Sequence, residues 1–183
     1  QGHANGQISL GNMYAIGLGV TKDDRQAAAW FQKAAEQGYA EAEYMLGECN
    51  RLAWGMPKDN TKAVGWYAKA AEKGLAKAQC LLGACCSNGW GVPQDDVKAA
   101  KLYQFAAEQG YALAQYELGR CYVGGLGVEK NSSLAVEYCR RAAQQGYALA
   151  QHQMGNFYHD GLGVPQDEKE AVRYYELAAA QGL

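Results

Sequence analysis

The segment at residues 147–182 reads YALAQHQMGNFYHDGLGVPQDEKEAVRYYELAAAQG, and its pattern recurs throughout the chain. Moving the segment back along the sequence aligns it with itself at steps of 36 residues. The glycines that close the copies are Gly38, Gly74, Gly110, Gly146 and Gly182. The chain therefore contains five tandem copies, repeats 1–5, and Leu183 begins a sixth. Their bounds are 3–38, 39–74, 75–110, 111–146 and 147–182. A fixed period of this size is typical of solenoid proteins.

The first half of each repeat predicts an amphipathic helix that carries a glycine. In repeat 4, Ala114, Leu118 and Tyr122 are spaced by four residues, which suits one face of a helix. Gly119 stands at a position where every repeat has glycine. Glycine costs about 1 kcal/mol in a helix interior, so its recurrence needs a structural reason. We expect a neighbouring helix to approach closely at this point, where a Cβ would not fit.

The second half of each repeat predicts a glycine-containing loop and a second helix. The loop of repeat 5 is Gly-Leu-Gly-Val at 161–164, whose glycines permit the positive φ of a helix C-terminus. We expect the two apolar residues of the loop to tuck under the turn. Asp167 and its equivalents are suited to cap the second helix. A large apolar column is expected to fill the space between helix pairs, at Trp30, Trp66, Leu102, Tyr138 and Tyr174.

A single helix pair cannot bury its apolar face, whereas stacked pairs form a continuous core. We therefore predict an all-α fold, a single solenoid domain over residues 1–183 with a concave and a convex side. The pattern A-x-A-x-x-x-L-G-x-x-Y-x-x-G-x-G-V-x-x-D-x-x-x-A-x-x-W/Y-x-x-x-A-A-x-x-G resembles the Sel-1-like repeat, a relative of the tetratricopeptide repeat. This resemblance implies a right-handed α/α superhelical solenoid of five helix-turn-helix repeats.

Composition excludes several classes of partner. The net charge is −2 and both signs occur in every repeat, whereas nucleic-acid binding needs a concentrated basic face. No run of about 18 apolar residues is present, so we expect no membrane insertion. The chain begins at Gln1 and not at Met, and we expect a mature or excised fragment of a longer protein. Open apolar ends of such a fragment would allow self-association.

Most of the six cysteines are expected to be free structural thiols. Cys49, Cys85 and Cys121 occupy one position of the repeat, where Met13 and Phe157 stand in the outer copies. A position that holds methionine, cysteine and phenylalanine indicates a buried apolar face. Neighbours at this position are one repeat apart, too far for a disulfide. The cysteine-rich branch of the family joins each helix pair by regularly spaced disulfides, and this chain lacks that spacing.

We predict neither catalysis nor a metal or cofactor site. His152 and His159 share a helix face next to Asp160, but no motif accompanies them. The Gly-x-Gly pairs follow helices and recur in the loops, so they indicate turns and not phosphate-binding loops. No serine or cysteine has the local signature of a nucleophile.

Binding is predicted on the face of the first helices that varies between repeats. In similar repeats the first helix of each pair lines the concave groove. Positions fixed by packing recur, whereas positions free of packing vary. The candidate residues are Asn12, Tyr44, Glu48, Arg51, Lys77, Ser87, Asn88, Tyr116, Arg120, His152, Asn156, His159 and Asp160. Tyrosine and arginine are frequent interface anchors. Two alternatives stay open: Glu48 and Arg51 could pair with each other, and Tyr44 and Tyr116 could be partly core.

The sequence supports three functional hypotheses. The first is a non-catalytic scaffold or adaptor that binds a protein or peptide in the groove. The resemblance implies the same, because Sel-1-like proteins mostly assemble or regulate other proteins, often in bacteria. The second is a small-molecule binder or weak hydrolase like the cysteine-rich branch, which is associated with β-lactams. The third is self-association through the open ends. The compartment stays open between a bacterial cell envelope or secreted location and the cytoplasm.

Overall fold

The computed structural model describes residues 3–182, so Leu183 and its sixth copy lie outside the described residues. Within that range the chain is entirely helical and forms five helix-turn-helix repeats, as predicted. The helices are α1 (Ala4–Ile16), α2 (Asp24–Ala35), α3 (Ala40–Leu52), α4 (Asn60–Glu72), α5 (Ala76–Asn88), α6 (Asp96–Glu108), α7 (Ala112–Gly124), α8 (Ser132–Gln144), α9 (Ala148–Asp160) and α10 (Glu168–Ala179).

The helices form two compact units, Gln1–Gln94 and Asp95–Leu183. In the first unit, α1 packs on α2, α2 on α3, α3 on α4 and α4 on α5. In the second, α6 packs on α7, and the pattern continues through α10. Each unit therefore has its own alternating series of helices. The single domain predicted over 1–183 stays a prediction.

Capping residues fix where each second helix begins. The side chain of Asp59 accepts a 2.9 Å hydrogen bond from the Lys62 amide, and Asn131 accepts one of 3.0 Å from the Leu134 amide. Asp167 accepts from two amides of the first turn of α10. These bonds satisfy amides that have no partner inside the helix. The predicted N-caps are therefore confirmed.

Gly11, Gly47 and Gly155 sit beneath aromatic rings of the second helix of the same repeat, and Gly119 sits beneath Cys139. A methyl group on Gly47 would lie 2.3 Å from Cε1 of the Tyr67 ring, and one on Gly11 would lie 2.5 Å from Cε1 of Phe31. Both rings are buried. The predicted close approach is confirmed. The buried column is one residue beyond the predicted column, whose members Trp30, Trp66, Leu102, Tyr138 and Tyr174 are only half-buried.

The loops join each repeat to the one before it. A methyl group on Gly55 would lie 2.0 Å from the carbonyl oxygen of Asp24, at the start of α2. This contact places Met56 against the core and leaves Trp54 43% exposed. The expectation that both apolar loop residues tuck under the turn is therefore wrong for the first of them. Its equivalents Leu18, Trp90, Leu126 and Leu162 are also exposed.

All six cysteines are buried, and none of them forms a disulfide in the described part of the chain. Burial raises the pKa of Cys49, Cys85 and Cys121 to about 11, and that of Cys139 to about 12. A thiol with so high a pKa carries almost no thiolate at neutral pH. The cysteines therefore act as small apolar side chains of the core.

Candidate protein-interaction surface

The thirteen candidate residues all lie on first helices, but they differ in exposure. Seven are exposed: Asn12, Lys77, Asn88, Arg120, His152, His159 and Asp160. Five are half-buried: Tyr44, Arg51, Ser87, Tyr116 and Asn156. Glu48 is buried. The half-buried tyrosines contribute to the core and the surface at once, so the alternative that they are partly core holds for both.

A charged cluster occupies the first helix of repeat 2. Nε and Nη2 of Arg51 each donate a 2.9 Å hydrogen bond to the Glu48 carboxylate. The hydroxyl of Tyr67, on α4, donates to the same carboxylate. Burial, and then the Glu48 carboxylate, hold the pKa of Tyr67 above its usual range. The alternative that Glu48 and Arg51 pair with each other is thus confirmed.

Tyr44 and Lys77 extend this cluster across the first unit. The Tyr44 ring lies 6.2 Å from the Tyr67 ring, measured between centroids. Nζ of Lys77, on α5, lies 5.9 Å from the Tyr44 centroid and 3.5 Å from Oε1 of Glu41. The structure therefore brings these side chains into one polar and aromatic patch. We call Glu41, Tyr44, Glu48, Arg51, Tyr67 and Lys77 the Tyr44 patch.

A second patch lies on α7 in the second unit. The guanidinium carbon of Arg120 lies 5.9 Å from the Tyr116 centroid, and the Arg120 side chain is 54% exposed. Arg120 also pairs with Glu117 at 3.0 Å. Burial raises the pKa of Glu117, and Arg120 opposes that shift. Tyr147 completes the group, with its ring 5.4 Å from that of Tyr116. We call these four residues the Tyr116 patch.

The two histidines of α9 have different partners. His152 lies 5.5 Å from the Tyr175 ring, whose hydroxyl donates a 2.8 Å hydrogen bond to Asn156. Nδ1 of His159 lies 3.1 Å from the Glu168 carboxylate. That hydrogen bond raises the pKa of His159. Between residues 3 and 182, no group of three or more His, Cys, Asp and Glu side chains could hold a metal ion.

The remaining candidates lie apart from the patches. Asn12 lines a cavity in the first unit, and Asn88 donates back to the Ala84 carbonyl of its own helix at 2.8 Å. Ser87 is half-buried and Asp160 is exposed. The sequence did not single out Tyr67, Tyr147 and Tyr175, which complete the clusters. Tyr67 and Tyr175 could have been found from the sequence, because four of the five repeats have an aromatic residue directly after the predicted large apolar position.

The chain matches the Sel1 repeat model five times, at residues 4–39, 40–75, 76–111, 112–147 and 148–183. The chain belongs to the Sel1 repeat family. These matches cover almost every residue and are offset by one from the repeat bounds found in the sequence. Sel1 repeat proteins are generally non-catalytic scaffolds for protein interactions.

Several solved structures share the fold. A Sel1 repeat protein from Oxalobacter formigenes is 36% identical, with a TM-score of 0.93 over 98% of this chain and 72% of its own. A protective antigen of uropathogenic Escherichia coli is 35% identical, with a TM-score of 0.60. That match covers 100% of this chain and 47% of the antigen. An immunity protein from Pseudomonas aeruginosa is 26% identical, with a TM-score of 0.63 over 98% of this chain and 66% of its own.

Among curated proteins, no sequence matches this chain. Within residues 3–182, no helix combines the length and apolar character that crossing a bilayer requires.

Proposed function

We propose that this Sel1 repeat chain is a non-catalytic scaffold that binds a protein or peptide partner along its first helices. The observation that carries the proposal is the pairing of a half-buried tyrosine with an exposed cation in each unit: Tyr44 with Lys77, and Tyr116 with Arg120. Aromatic rings held by the core are rigid, so little entropy is lost when a partner covers them. The neighbouring cations would select acidic or carbonyl-rich segments of that partner.

Two further observations support a protein partner. Leu113 and Leu149 stand at one varying position of α7 and α9, and Leu149 is 39% exposed. The first helices therefore carry apolar side chains as well as cations, as many protein interfaces do. The structural neighbour from Pseudomonas aeruginosa is an immunity protein, which is consistent with a protein as the partner of this chain.

The cysteine chemistry does not favour the hydrolase alternative. A cysteine nucleophile would have to be one of six buried thiols, and the four with shifted pKa values are shifted upward. A purified sample that hydrolyses a chromogenic β-lactam, and loses this activity when Cys49 is changed to alanine, would reverse this conclusion.

The test is affinity capture with the variant Lys77→Ala/Arg120→Ala. Its matched control is Arg141→Ala/Arg173→Ala, on second helices α8 and α10. The four side chains are 49%, 54%, 49% and 67% exposed, and each makes an ion pair. Each also lies within 6.0 Å of a tyrosine centroid. The two variants therefore lose the same kinds of contact and differ in the face that loses them.

We expect the first variant to retain its partner roughly tenfold less well, as hot-spot cations do, and the control to behave like wild type. The measurement is quantitative mass spectrometry of proteins captured from the native source. Equal losses in both variants would move binding away from the first helices. We avoid charge reversal at Arg51, because it would leave the buried Glu48 carboxylate beside a second negative charge.

A further inference from the structure

A cavity of about 250 Å³ lies in the first unit, lined by residues of α1, α2, α3 and the loop that follows α3. Buried Phe31 and Cys49 line it, together with Ile16 and Trp54, which are 70% and 43% exposed. Its lining side chains are apolar apart from Asn12 and the ion pair of Lys22 and Asp24, whose charged atoms are 3.8 Å apart. The cavity is thus apolar, with its polar groups restricted to these three.

The next repeat has the same kinds of wall residue 36 positions later. Leu52, Cys85 and Trp90 stand where the cavity has Ile16, Cys49 and Trp54. Ala63 and Leu81 likewise replace Ala27 and Met45. These five lining residues therefore do not explain why the cavity in repeat 1 differs from the equivalent site in repeat 2.

Besides Asn60 in place of Asp24, three replacements distinguish the cavity from its equivalent in repeat 2. Arg51, Glu48 and Tyr67 stand where the cavity has Ala15, Asn12 and Phe31. In repeat 2, Arg51 folds onto Glu48 and its Nε lies 3.3 Å from the Tyr67 hydroxyl. The charged cluster thus occupies the side of the Tyr67 ring. In repeat 1, alanine and phenylalanine supply neither the long side chain nor the hydroxyl, and the space is left open.

The size and chemistry of the cavity indicate its occupant. An apolar cavity of about 150 Å³ holds benzene and stays dry, because water needs two to four polar partners. The larger volume here suits a two-ring aromatic group. The apolar surface continues outside the cavity, because its lining residues Ile16 and Trp54 are 70% and 43% exposed. A free small molecule would leave that surface uncovered, whereas a protein chain would cover it.

We propose that this cavity is an anchor pocket for one large aromatic side chain, of indole size, carried by the partner protein. The proposal rests on the scaffold function and adds a specific recognition element in repeat 1. Phe31 and Trp54 would contact the ring of the occupant. Asn12 and the Lys22–Asp24 pair would bind polar groups of the main chain beside it.

The first experiment titrates the intact chain with N-acetyl-tryptophanamide and follows amide and indole signals by NMR. We expect saturable shifts at Ala15, Met45 and Trp54 with one site per chain, and no shifts with N-acetyl-alaninamide. The variant Ala15→Leu places a larger side chain in the cavity. It should weaken binding at least tenfold while its melting temperature stays equal or rises. Absence of saturable binding, or unchanged binding in Ala15→Leu, would overturn the proposal.

A second variant tests the comparison between repeats. Glu48→Asn/Arg51→Ala/Tyr67→Phe gives repeat 2 the three residues that leave the cavity open in repeat 1. We expect two sites for N-acetyl-tryptophanamide in this variant, with circular dichroism confirming that it stays helical. A single site with wild-type affinity in the helical variant would contradict the argument that these three residues decide access.

Affinity capture separates this inference from the scaffold proposal. If Ala15→Leu loses a protein that wild type captures, the aromatic anchor belongs to that protein, as proposed. If the probe binds but Ala15→Leu retains every captured protein, the occupant is a free small aromatic molecule and the proposed partner is wrong. Capture that depends on Lys77 and Arg120 without any probe binding would overturn the pocket and leave the scaffold standing.

Discussion

A single residue departs from the backbone rule of the loops. The residue that follows each first helix has a left-handed backbone conformation. It is glycine in every repeat except repeat 2, where Ala53 has φ of 59°. A Cβ in this conformation costs roughly 1 kcal/mol. We expect Ala53→Gly to raise the free energy of unfolding by about that amount, measured by urea denaturation. The reciprocal change is Gly89→Ala, where the new methyl group would meet nothing closer than 3.7 Å. It should lose a similar amount, and a neutral result for both variants would show that the strain is relieved elsewhere.

Two equivalent loop glycines differ in their contacts: Gly55 lies against the preceding repeat, and Gly19 does not. Gly55 and Gly19 have similar φ values, 68° and 71°. A methyl group on Gly55 would overlap the Asp24 carbonyl at 2.0 Å, whereas one on Gly19 would meet only Cε of Met13, at 3.6 Å. We expect Gly55→Ala to lose about 2–4 kcal/mol and Gly19→Ala about 1 kcal/mol, the cost of the backbone alone. Thermal melts compare the two. Equal losses would mean that the loop moves away from α2 without cost.

At the scale of elements, a polar pair ties each first helix to the end of its second helix. The Nε2 atoms of Gln145 and Gln181 donate to the side-chain oxygens of Gln115 and Gln151, at 2.8 and 2.7 Å. Gln115 and Gln151 are buried and donate in turn to carbonyl groups of the preceding repeat. Repeat 2 has Glu43 and Lys73 at these positions, 2.6 Å apart. The second carboxylate oxygen of Glu43 has no hydrogen-bond partner.

Restoring the glutamine pair in repeat 2 should stabilise the fold. Glu43→Gln/Lys73→Gln should raise the free energy of unfolding by about 1 kcal/mol, because a glutamine amide can donate where the carboxylate cannot. Lys73→Gln alone should lose about 3 kcal/mol, because it leaves the Glu43 carboxylate, 5% exposed, without its cation. Urea denaturation of the single and double variants gives the coupling between the two sites. A double variant weaker than wild type would show that the ion pair outweighs the glutamine pair here.

At the scale of the whole molecule, the sequence predicts the features that recur in every repeat. It does not predict features that depend on one side chain in one repeat. Helix positions, N-caps and buried thiols follow from columns that recur every 36 residues, so five copies supply the same information five times. The Tyr44 patch could be predicted only in part, because Tyr67 reaches it from another helix. The cavity depends on the absence of a long side chain at position 15, and only the structure shows the space that results.

The buried thiols make the free energy of unfolding of the whole molecule depend on pH. Cys49 and Cys85 in the first unit, and Cys121 and Cys139 in the second, have pKa values raised from 9.0 to about 11 or 12. Each thiol has a higher pKa in the folded protein than in the unfolded chain. Its contribution to folding stability is therefore complete at pH values below the unfolded-state pKa, which is about 9. As pH rises from about 9 towards 11, the unfolded chain releases protons that the folded chain keeps. Each thiol then lowers the free energy of unfolding by up to about 1.4 kcal/mol per pH unit.

We expect the midpoint of urea denaturation to fall between pH 9 and 10.5 under reducing conditions. Lysines and tyrosines titrate in the same range, so the decisive comparison is with Cys49→Ala/Cys85→Ala. This variant removes two of the four thiols and replaces them with a smaller apolar side chain. It should be less stable at pH 7.5 because it leaves cavities, yet its stability should fall less steeply with pH. Parallel curves for the two proteins would mean that the thiols ionise in the folded state as easily as in the unfolded chain, and the account of their burial would then be wrong.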